Sequence, residues 1–486
     1  MNPCRTLQDC YGQLRGWRRW SIRQQAGEFA RWQPEALARL NQELFRKRVA
    51  FAIQAFPLYA EKVNAHFQQT LSATQGRARS SSLRSHALRD GVGQSEPNGA
   101  TERASHIAGR SSSILISEIE PKHLPIWTKG DQRALFSELN GPPLPGSFAH
   151  ASGGSTGVPI QFYMTRESFE WRMAVSDRGY GWAHAEEGQK SFYVWGSPVK
   201  PLAVFKKLKV DFQHILQRRA YCDSFVFDDE RKVACCQAIN HFRPSALVGY
   251  AGNLVELALF VRAHPGILRW KARTLVTAAE GLQPGQRELL QSTLTNEVFM
   301  SYGSREFMLI GMECREPAGY HVNSDTLLVE VVDENGQPVA PGETGRIVVT
   351  DLRNAANPFV RYEIGDWGAW AEGICSCGLP FPRLAQVAGR IQEVLLAADG
   401  SRQTALFVPH LVKEFAWIQG YQIEQETAGA IRLCVLSREE PPEPDVTALS
   451  RAFQSKLGEA TRVEVVRVSA LRKSASGKVP IVCSGV

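Results

Sequence analysis

The run Ser152-Gly-Gly-Ser-Thr-Gly-Val-Pro159 holds residue types that grip an anion. Gly153, Gly154 and Gly157 let the backbone turn tightly and expose successive N–H groups, while Ser155 and Thr156 add hydroxyls. The run lacks the Gly-Lys-Ser/Thr ending of a Walker loop, so the usual ATPase inference does not apply, and a plain Ser/Gly-rich surface loop also fits it. A second set is built for a metal. Cys314 and His321 stand seven apart, and Cys375 and Cys377 form a C-x-C pair before a glycine. Three thiolates and one imidazole would make a closed tetrahedral Cys3His zinc site, structural because no position stays open for water. The spacing departs from the common zinc-finger pattern, and four ordinary side chains with free thiols are the alternative.

Composition narrows the setting. The chain has 486 residues, 43% hydrophobic and 22% charged, which is ordinary for a soluble protein of two or three domains. No apolar run reaches the roughly 18–20 residues needed to span a bilayer. The N-terminal MNPCRTLQDC has no apolar signal core, so a cytoplasmic location is the expectation. Ten cysteines in such a chain read as free thiols or metal ligands rather than a disulfide scaffold. The net charge of +7 is uneven: residues 1–112 hold 17 Lys/Arg against 8 Asp/Glu. A basic face of this kind suits a nucleic acid, a membrane or an acidic partner. Trp17, Trp20, Phe29, Trp32, Leu40, Leu44 and Phe45 interrupt the basic residues like packing positions, which favours amphipathic helices, and no nucleic acid partner is expected.

Periodicity places the elements that must carry these residues. Residues 11–65 read as helices, and 75–112 turn to Ser, Arg, Gly, Asn and Gln, a composition expected to stay a mobile loop. From 161 to 309 helical patterns (168–182, 253–263, 284–294) alternate with short strands at 191–195, 246–248, 274–277 and 297–300, the rhythm of a largely parallel sheet. LLVEVVD and TGRIVVTDL, with a turn signal at Glu334-Asn-Gly336, mark a hairpin-rich stretch. Cys235 and Cys236 fall in a helix and are expected to be buried. After Gly389-Arg390, the segments IRLCVLS, DVTALSRAFQSKLG and RVEVVRV form a further small α+β pattern.

Five further segments follow the glycine loop in order: Ala279-Glu280, Ser301-Tyr-Gly-Ser-Arg-Glu306, Arg361-Tyr-Glu-Ile-Gly-Asp366, Gly389-Arg390 and Ser476-Gly-Lys478. LPIWTKGD (124–131), FRPSALVGY (242–250), NPFVRYEIGD (357–366) and CSCGLPFP (375–382) lie around them. As an ordered set, from about Ile114 to Lys478, they resemble the adenylate-forming (ANL) superfamily, most closely its phenylacetate–CoA ligase and CapK-like branch. The resemblance implies an α/β fold: a large multi-subdomain N-terminal domain of mixed sheets and helices, plus a small mobile α+β C-terminal domain. The expected divisions are 1–388 (helical start 1–70, disordered loop 75–112, β-rich subdomain about 320–388), a hinge at 389–392 and a lid at 393–486.

The same resemblance implies ATP- and Mg2+-dependent activation of a carboxylic acid, aryl or acyl, as an acyl-adenylate. A thiol, foremost coenzyme A, would then take the acyl group. Residues Ser152, Gly153, Gly154, Ser155, Thr156 and Gly157 would hold the β- and γ-phosphates. Ala279 would line the adenine pocket and Tyr302 would offer a flat face to the base, with Glu280, Ser301, Gly303 and Ser304 also among the ATP- and AMP-binding residues. Glu306 would help hold Mg2+, Asp366 would accept from the ribose hydroxyls and Arg390 would sit close by. Lys478 would bridge carboxylate and α-phosphate, Thr156 and Glu306 being the other catalytic expectations, and Gln392 would be a neutral hinge pivot. Relatives on this branch carry a Cys, a His and a C-x-C at matching places, and some hold zinc there. Arg178, Trp182, Trp195, Tyr250 and Ala251 are the expected acid pocket, with Trp171 and Tyr180 beside them. Transfer to an amine, a hydroxyl or a carrier protein is the alternative outcome, and a non-catalytic zinc-stabilised binding protein the distant one. The acid's identity and the oligomeric state stay open.

Overall fold

The structure is a computed structural model. It describes residues 18–69, 119–151, 160–195, 212–224, 227–278, 281–283, 285–390, 394–405, 407–412, 415, 417–472 and 479–484. Among them no helix is long and apolar enough to cross a membrane.

The chain opens with α1 (Arg19–Phe29) and α2 (Pro34–Ala55), and a further helix runs through 57–69. Pro34 begins α2 where a missing N–H costs nothing. Phe29 and Phe45 are buried as expected, but Trp20 and Trp32 are large exposed side chains. The helical stripe is narrower than a reading from aromatic content implies, because both tryptophans fall on the wet side. Trp17 and the 75–112 stretch lie outside the described residues.

Next come α3 (Lys129–Glu138), a two-stranded ribbon of β1 (Phe148–Ala151) and β2 (Gln161–Met164), and α4 (Arg166–Trp182). Thr128 and Asp131 form a capping box that starts α3: the Thr128 hydroxyl accepts the Asp131 amide, and the Asp131 carboxylate accepts the Thr128 amide.

The centre is one eleven-stranded sheet. Its strands are β3 (Ser191–Trp195), β4 (Arg219–Asp223), β5 (Ala246–Tyr250), β6 (Ala272–Ala278), β7 (Thr295–Ser304), β8 (Met308–Met312), β9 (Tyr320–Val322), β10 (Leu327–Val332), β11 (Thr344–Asp351), β12 (Tyr362–Trp370) and β13 (Arg383–Arg390). The order is β10-β11-β12-β13-β9-β8-β7-β6-β5-β3-β4. The expected β-rich stretch at about 320–388 is therefore continuous with the parallel strands. Strands β4, β3, β5, β6 and β7 are mutually parallel, and every pairing from β7 onward to β10 is antiparallel.

Helices α5 (Asp229–Phe242), α6 (Ala251–Ala263) and α7 (Gln286–Thr293) alternate with the parallel strands. Leu247 and Leu275 point into a core shared with Cys235, Cys236, Leu254 and Leu290. Ala246, Val248 and Val276 point the other way, toward Ala183, Leu309 and Met312. Side chains of period two, apolar on both faces, are what a sheet covered on both sides requires.

Beyond Arg390 a second sheet has the order β18-β17-β16-β19, from β16 (Gly420–Thr427), β17 (Ala430–Leu436), β18 (Arg462–Arg467) and β19 (Val482–Ser484). Helix α9 (Glu443–Leu457) connects parallel strands β17 and β18, and Leu449 and Phe453 sit in a core with Ile423 and Leu433. Two short strands, β14 (Val394–Leu396) and β15 (Arg402–Thr404), and the short helix α8 (Phe407–Val412) precede this sheet. Gln419 meets the large sheet's helices: its carbonyl accepts from Gln286 Nε2 at 2.9 Å and its Oε1 from Arg262 at 3.3 Å.

Candidate functional site

Strand β7 changes partner in mid-course. Its pairing with β6 ends at Thr277↔Met300, and its pairing with β8 begins at Ser301↔Met312. The Ser301-Tyr-Gly-Ser motif thus starts where the sheet switches from parallel to antiparallel, the kind of discontinuity that opens a crevice at strand ends. Gly303 is demanded by the geometry: a Cβ there would stand 2.0 Å from the Met308 carbonyl oxygen. Ser304 Oγ accepts from the Phe307 amide at 3.3 Å and closes the turn that carries Glu306. Ser301 Oγ donates to the Thr277 carbonyl at 2.8 Å, tying β7 to the end of β6.

Tyr302 is buried beside Tyr320, and its hydroxyl donates to Asp366 Oδ2 at 3.0 Å. Asp366 lies on β12 in register with Arg390 of β13. Three separate segments, the ends of β7 and β13 and the middle of β12, therefore meet at one place. Gly365 holds φ +95°, which a side chain would strain, and a Cβ there would lie 3.1 Å from Lys129 Nζ. Lys129 thus brings a cation next to the Asp366 strand position.

The Glu306 side chain is mostly buried, and its carboxylate has no hydrogen-bonding or ionic partner among the described residues. Its backbone carbonyl accepts from Arg172, whose guanidinium also pairs with buried Asp351. A positioned carboxylate with nothing yet bonded to it suits a hard divalent cation. Arg361 has a different task. It bonds Glu330 at 3.1 Å, the Leu124 carbonyl at 2.6 Å and the Gly336 carbonyl at 2.7 Å, fastening the 124–128 segment to the sheet. Trp127, wholly buried, pairs there with Arg361 and Glu363 through its backbone.

Residues 152–157, Ala279, Glu280, Gln392 and Lys478 lie outside the described residues, as does the side chain of Arg390. The expected acid pocket divides. Trp195 and Tyr250 come together at the C-terminal ends of β3 and β5, with ring centroids 4.3 Å apart, and Ala251 begins α6 beside them. Arg178 does not belong to such a pocket. Its guanidinium is spent on Asp325 (2.8 and 2.9 Å), Asn323 (2.7 Å) and the Ala26 carbonyl (2.8 Å), and it lies over the Phe381 ring. The bidentate bond to a fully buried carboxylate engages both terminal nitrogens, and the remaining donor, Nε, is itself buried. Trp182 likewise stands against His321 and Phe381, and Trp171 stacks on Phe29. Helical spacing put Arg178, Trp182 and Trp171 on α4, but not on its pocket side.

The ligand atoms of Cys314, His321, Cys375 and Cys377 all lie within 4.8 Å of one another. Cys314 Sγ and Cys375 Sγ are 3.8 Å apart, and Cys377 Sγ and His321 Nε2 are 3.3 Å apart. A tetrahedron with metal–sulfur bonds of about 2.3 Å has edges of about 3.8 Å. The backbone amides of Glu316 and Leu379 donate to Cys314 and Cys377 at 3.4 Å each, and Gly378 supplies the positive φ (+79°) that the turn after Cys377 needs. His321 Nδ1 is 2.9 Å from the Phe381 carbonyl. That carbonyl only accepts, so Nδ1 carries the proton and Nε2 presents its lone pair to the cluster. Burial holds the His321 imidazole below its ordinary range, and burial pushes the Cys314 thiol up to about 12.

Residues that spacing did not single out complete the surroundings. His150 lies on β1, two residues before Ser152 in the sequence, stacked on Phe162, with Nδ1 accepting the Ala151 amide at 3.2 Å. Burial, and then the charges of Arg305 and Arg172, hold its imidazole below the ordinary range. Lys129 sits inside LPIWTKGD and His150 just ahead of the glycine run, so adjacency to a motif was the available signal. Arg172 carried none.

No protein-family model matches the chain. A phenylacetate–coenzyme A ligase of Thermus thermophilus is 35% identical over 99 residues, which is 20% of this chain and 22% of that ligase. The chain thus matches about a fifth of that relative's length. Among solved structures, 2-hydroxyisobutyryl-CoA ligase in the postadenylation state with R3-HIB-AMP is 18% identical, covering 91% of this chain and 88% of that one with a TM-score of 0.62. With 2-HIB-AMP the score is 0.63 at 17% identity over the same shares. An open conformation of that ligase with 2-HIB-AMP and CoA gives 0.55 at 17%, covering 91% and 90%. The chain therefore has the adenylate-forming CoA ligase fold, and over a fifth of its length its sequence is similar to a phenylacetate–coenzyme A ligase.

Proposed function

We propose that this protein activates a small carboxylic acid with ATP and passes the acyl group to coenzyme A. The observation that carries the reading is the Tyr302–Asp366 bond, which joins two motifs 64 residues apart at the strand where the sheet changes direction. A carboxylate oxygen of the acid attacks the α-phosphorus of ATP, and pyrophosphate leaves. The thiol of coenzyme A then loses its proton and attacks the acyl carbon, and AMP leaves. Tyr302 would face the adenine while its hydroxyl orients Asp366 toward the ribose hydroxyls. The loop 152–157 would offer N–H and hydroxyl donors to the β- and γ-phosphates, and Lys478 would meet the α-phosphate and the incoming carboxylate. Gln392 would serve as the pivot between the two poses and Arg390 would stay by the ribose. Magnesium, when bound, neutralises phosphate charge that repels the incoming carboxylate; Glu306 would hold it.

The Cys3His cluster would hold zinc. Its donor set, its amide-to-sulfur bonds and the His321–Phe381 contact support a closed structural site. It would tie the loop after β8 to the loop between β12 and β13.

The test is acid-dependent ATP–pyrophosphate exchange across aryl, hydroxyaryl, amino and fatty acids, followed by AMP release with coenzyme A, amines or carrier proteins as acceptor. Exchange with at least one acid, and release driven by coenzyme A, is the expected result. No exchange with any acid overturns the reading, and Lys478→Ala retaining near-normal exchange removes that lysine from it.

A further inference from the structure

A cleft separates the end of α6 from the loops after β17 and β18. It has a volume of about 700 Å³ and is lined by Leu259, Arg262, Gln419, Ser437, Arg438, Glu440, Arg467 and Ser469, among others. Residues 259–263 belong to the large sheet's layer and the rest to the second sheet's unit, so the cleft runs along the seam where Gln419 makes its two contacts.

The charge along this seam is unbalanced. Three guanidiniums face one carboxylate, and that carboxylate, Glu440, is taken by Arg467 at 3.0 Å. Arg467 also donates to the Ser437 and Arg438 carbonyls, so it braces the loop. Arg262 donates only to the neutral Gln419 Oε1, and Arg438 makes no ion pair among the described residues. Burial, and then the like charge of Arg438, hold the Arg262 guanidinium below its ordinary range. Two cations brought together from two units, with the Ser469 hydroxyl in the same lining, leave an uncompensated repulsion that an oxyanion would remove.

We propose that this cleft binds a phosphate-class dianion, bridged by Arg262 from the large unit and Arg438 from the second unit, so that anion binding favours this docking of the two. The ligand class follows from planar guanidinium donors, which match phosphate oxygens better than a halide. The inference does not rest on the catalytic reading and stands or falls separately from it. Its source is either free inorganic phosphate or a phosphate monoester on a nucleotide.

The experiment uses the full chain. Inorganic phosphate is titrated by calorimetry and by thermal shift, with sodium chloride at matched ionic strength as control. Phosphate should raise the melting temperature in a saturable way that chloride does not reproduce. Arg438→Ala, an exposed position, and Arg262→Gln should each weaken phosphate binding by about tenfold or more, with unchanged circular dichroism. Glu440→Gln should not weaken it. Adenosine 3′,5′-bisphosphate binding tighter than phosphate, with the same losses in both variants, assigns the source to a nucleotide; equal or weaker binding assigns it to the free anion. Phosphate affinity unchanged in both arginine variants, or a chloride response equal to that of phosphate, overturns the proposal.

Discussion

The Tyr302 hydroxyl stands 3.0 Å from Asp366 Oδ2, the two residues on strands that are not neighbours in the sheet. The bond fixes the carboxylate against rotation, so its second oxygen keeps one orientation. A carboxylate held in this way accepts from a pair of adjacent hydroxyls without losing side-chain freedom at the moment of binding.

Tyr302→Phe keeps the ring and removes the anchor. The KM for ATP in pyrophosphate exchange should rise roughly tenfold, the scale of one hydrogen bond to a charged group, with little change in melting temperature. An unaltered KM would show that Asp366 is held by other contacts.

Glu306→Gln should leave folding stability within about 0.5 kcal/mol, because the carboxylate has no partner to lose among the described residues. Exchange activity should fall by about a hundredfold or more and need higher magnesium for half-maximal rate. A variant with the wild-type magnesium dependence would take Glu306 out of the metal's surroundings.

The purified protein should contain about one zinc per chain, and Cys375→Ser should lose it and melt about 5 °C or more lower. Metal analysis of the wild type decides this directly. Zinc absent from protein made in zinc-replete medium removes the assignment.

Arg178→Ala should cost about 3–5 kcal/mol, because it strands the fully buried Asp325 without its partner. Denaturant unfolding measures it. If the loss were instead confined to the KM for the acid, with stability kept, the pocket role would be restored to Arg178.

Glu187 anchors α1. It is buried, which by itself would raise its pKa, yet Arg19 at 2.6 Å and Arg23 at 2.5 Å hold its carboxyl below the ordinary 4.5. A depressed folded-state pKa contributes stability that is full above the unfolded value and lost as pH falls through the folded one. Glu187→Gln should therefore destabilise the protein at pH 7, and the gap to wild type should close as pH drops below 4.5. Parallel stability curves down to strongly acid pH would contradict that linkage.

Much of this fold was readable from residue order. Strand Ser191–Trp195 was expected at the limits it has, and α6, α7 and α9 within a few residues of theirs, because apolar spacing is a local property of the chain. The four metal-type ligands were also visible, since cysteine and histidine have few competing roles in such loops. Sequence alone thus indicated several of these elements and the Cys3His set. It left the side of α4 that Arg178 faces undetermined, because periodicity defines a helical stripe but not the neighbour covering it; Asp325, 147 residues away, took the guanidinium. Nor did it indicate that β7 switches partners between Met300 and Ser301, or that Tyr302 would reach Asp366. Pairing of distant strands is decided by the packing of the whole sheet, and no local pattern in the chain encodes it.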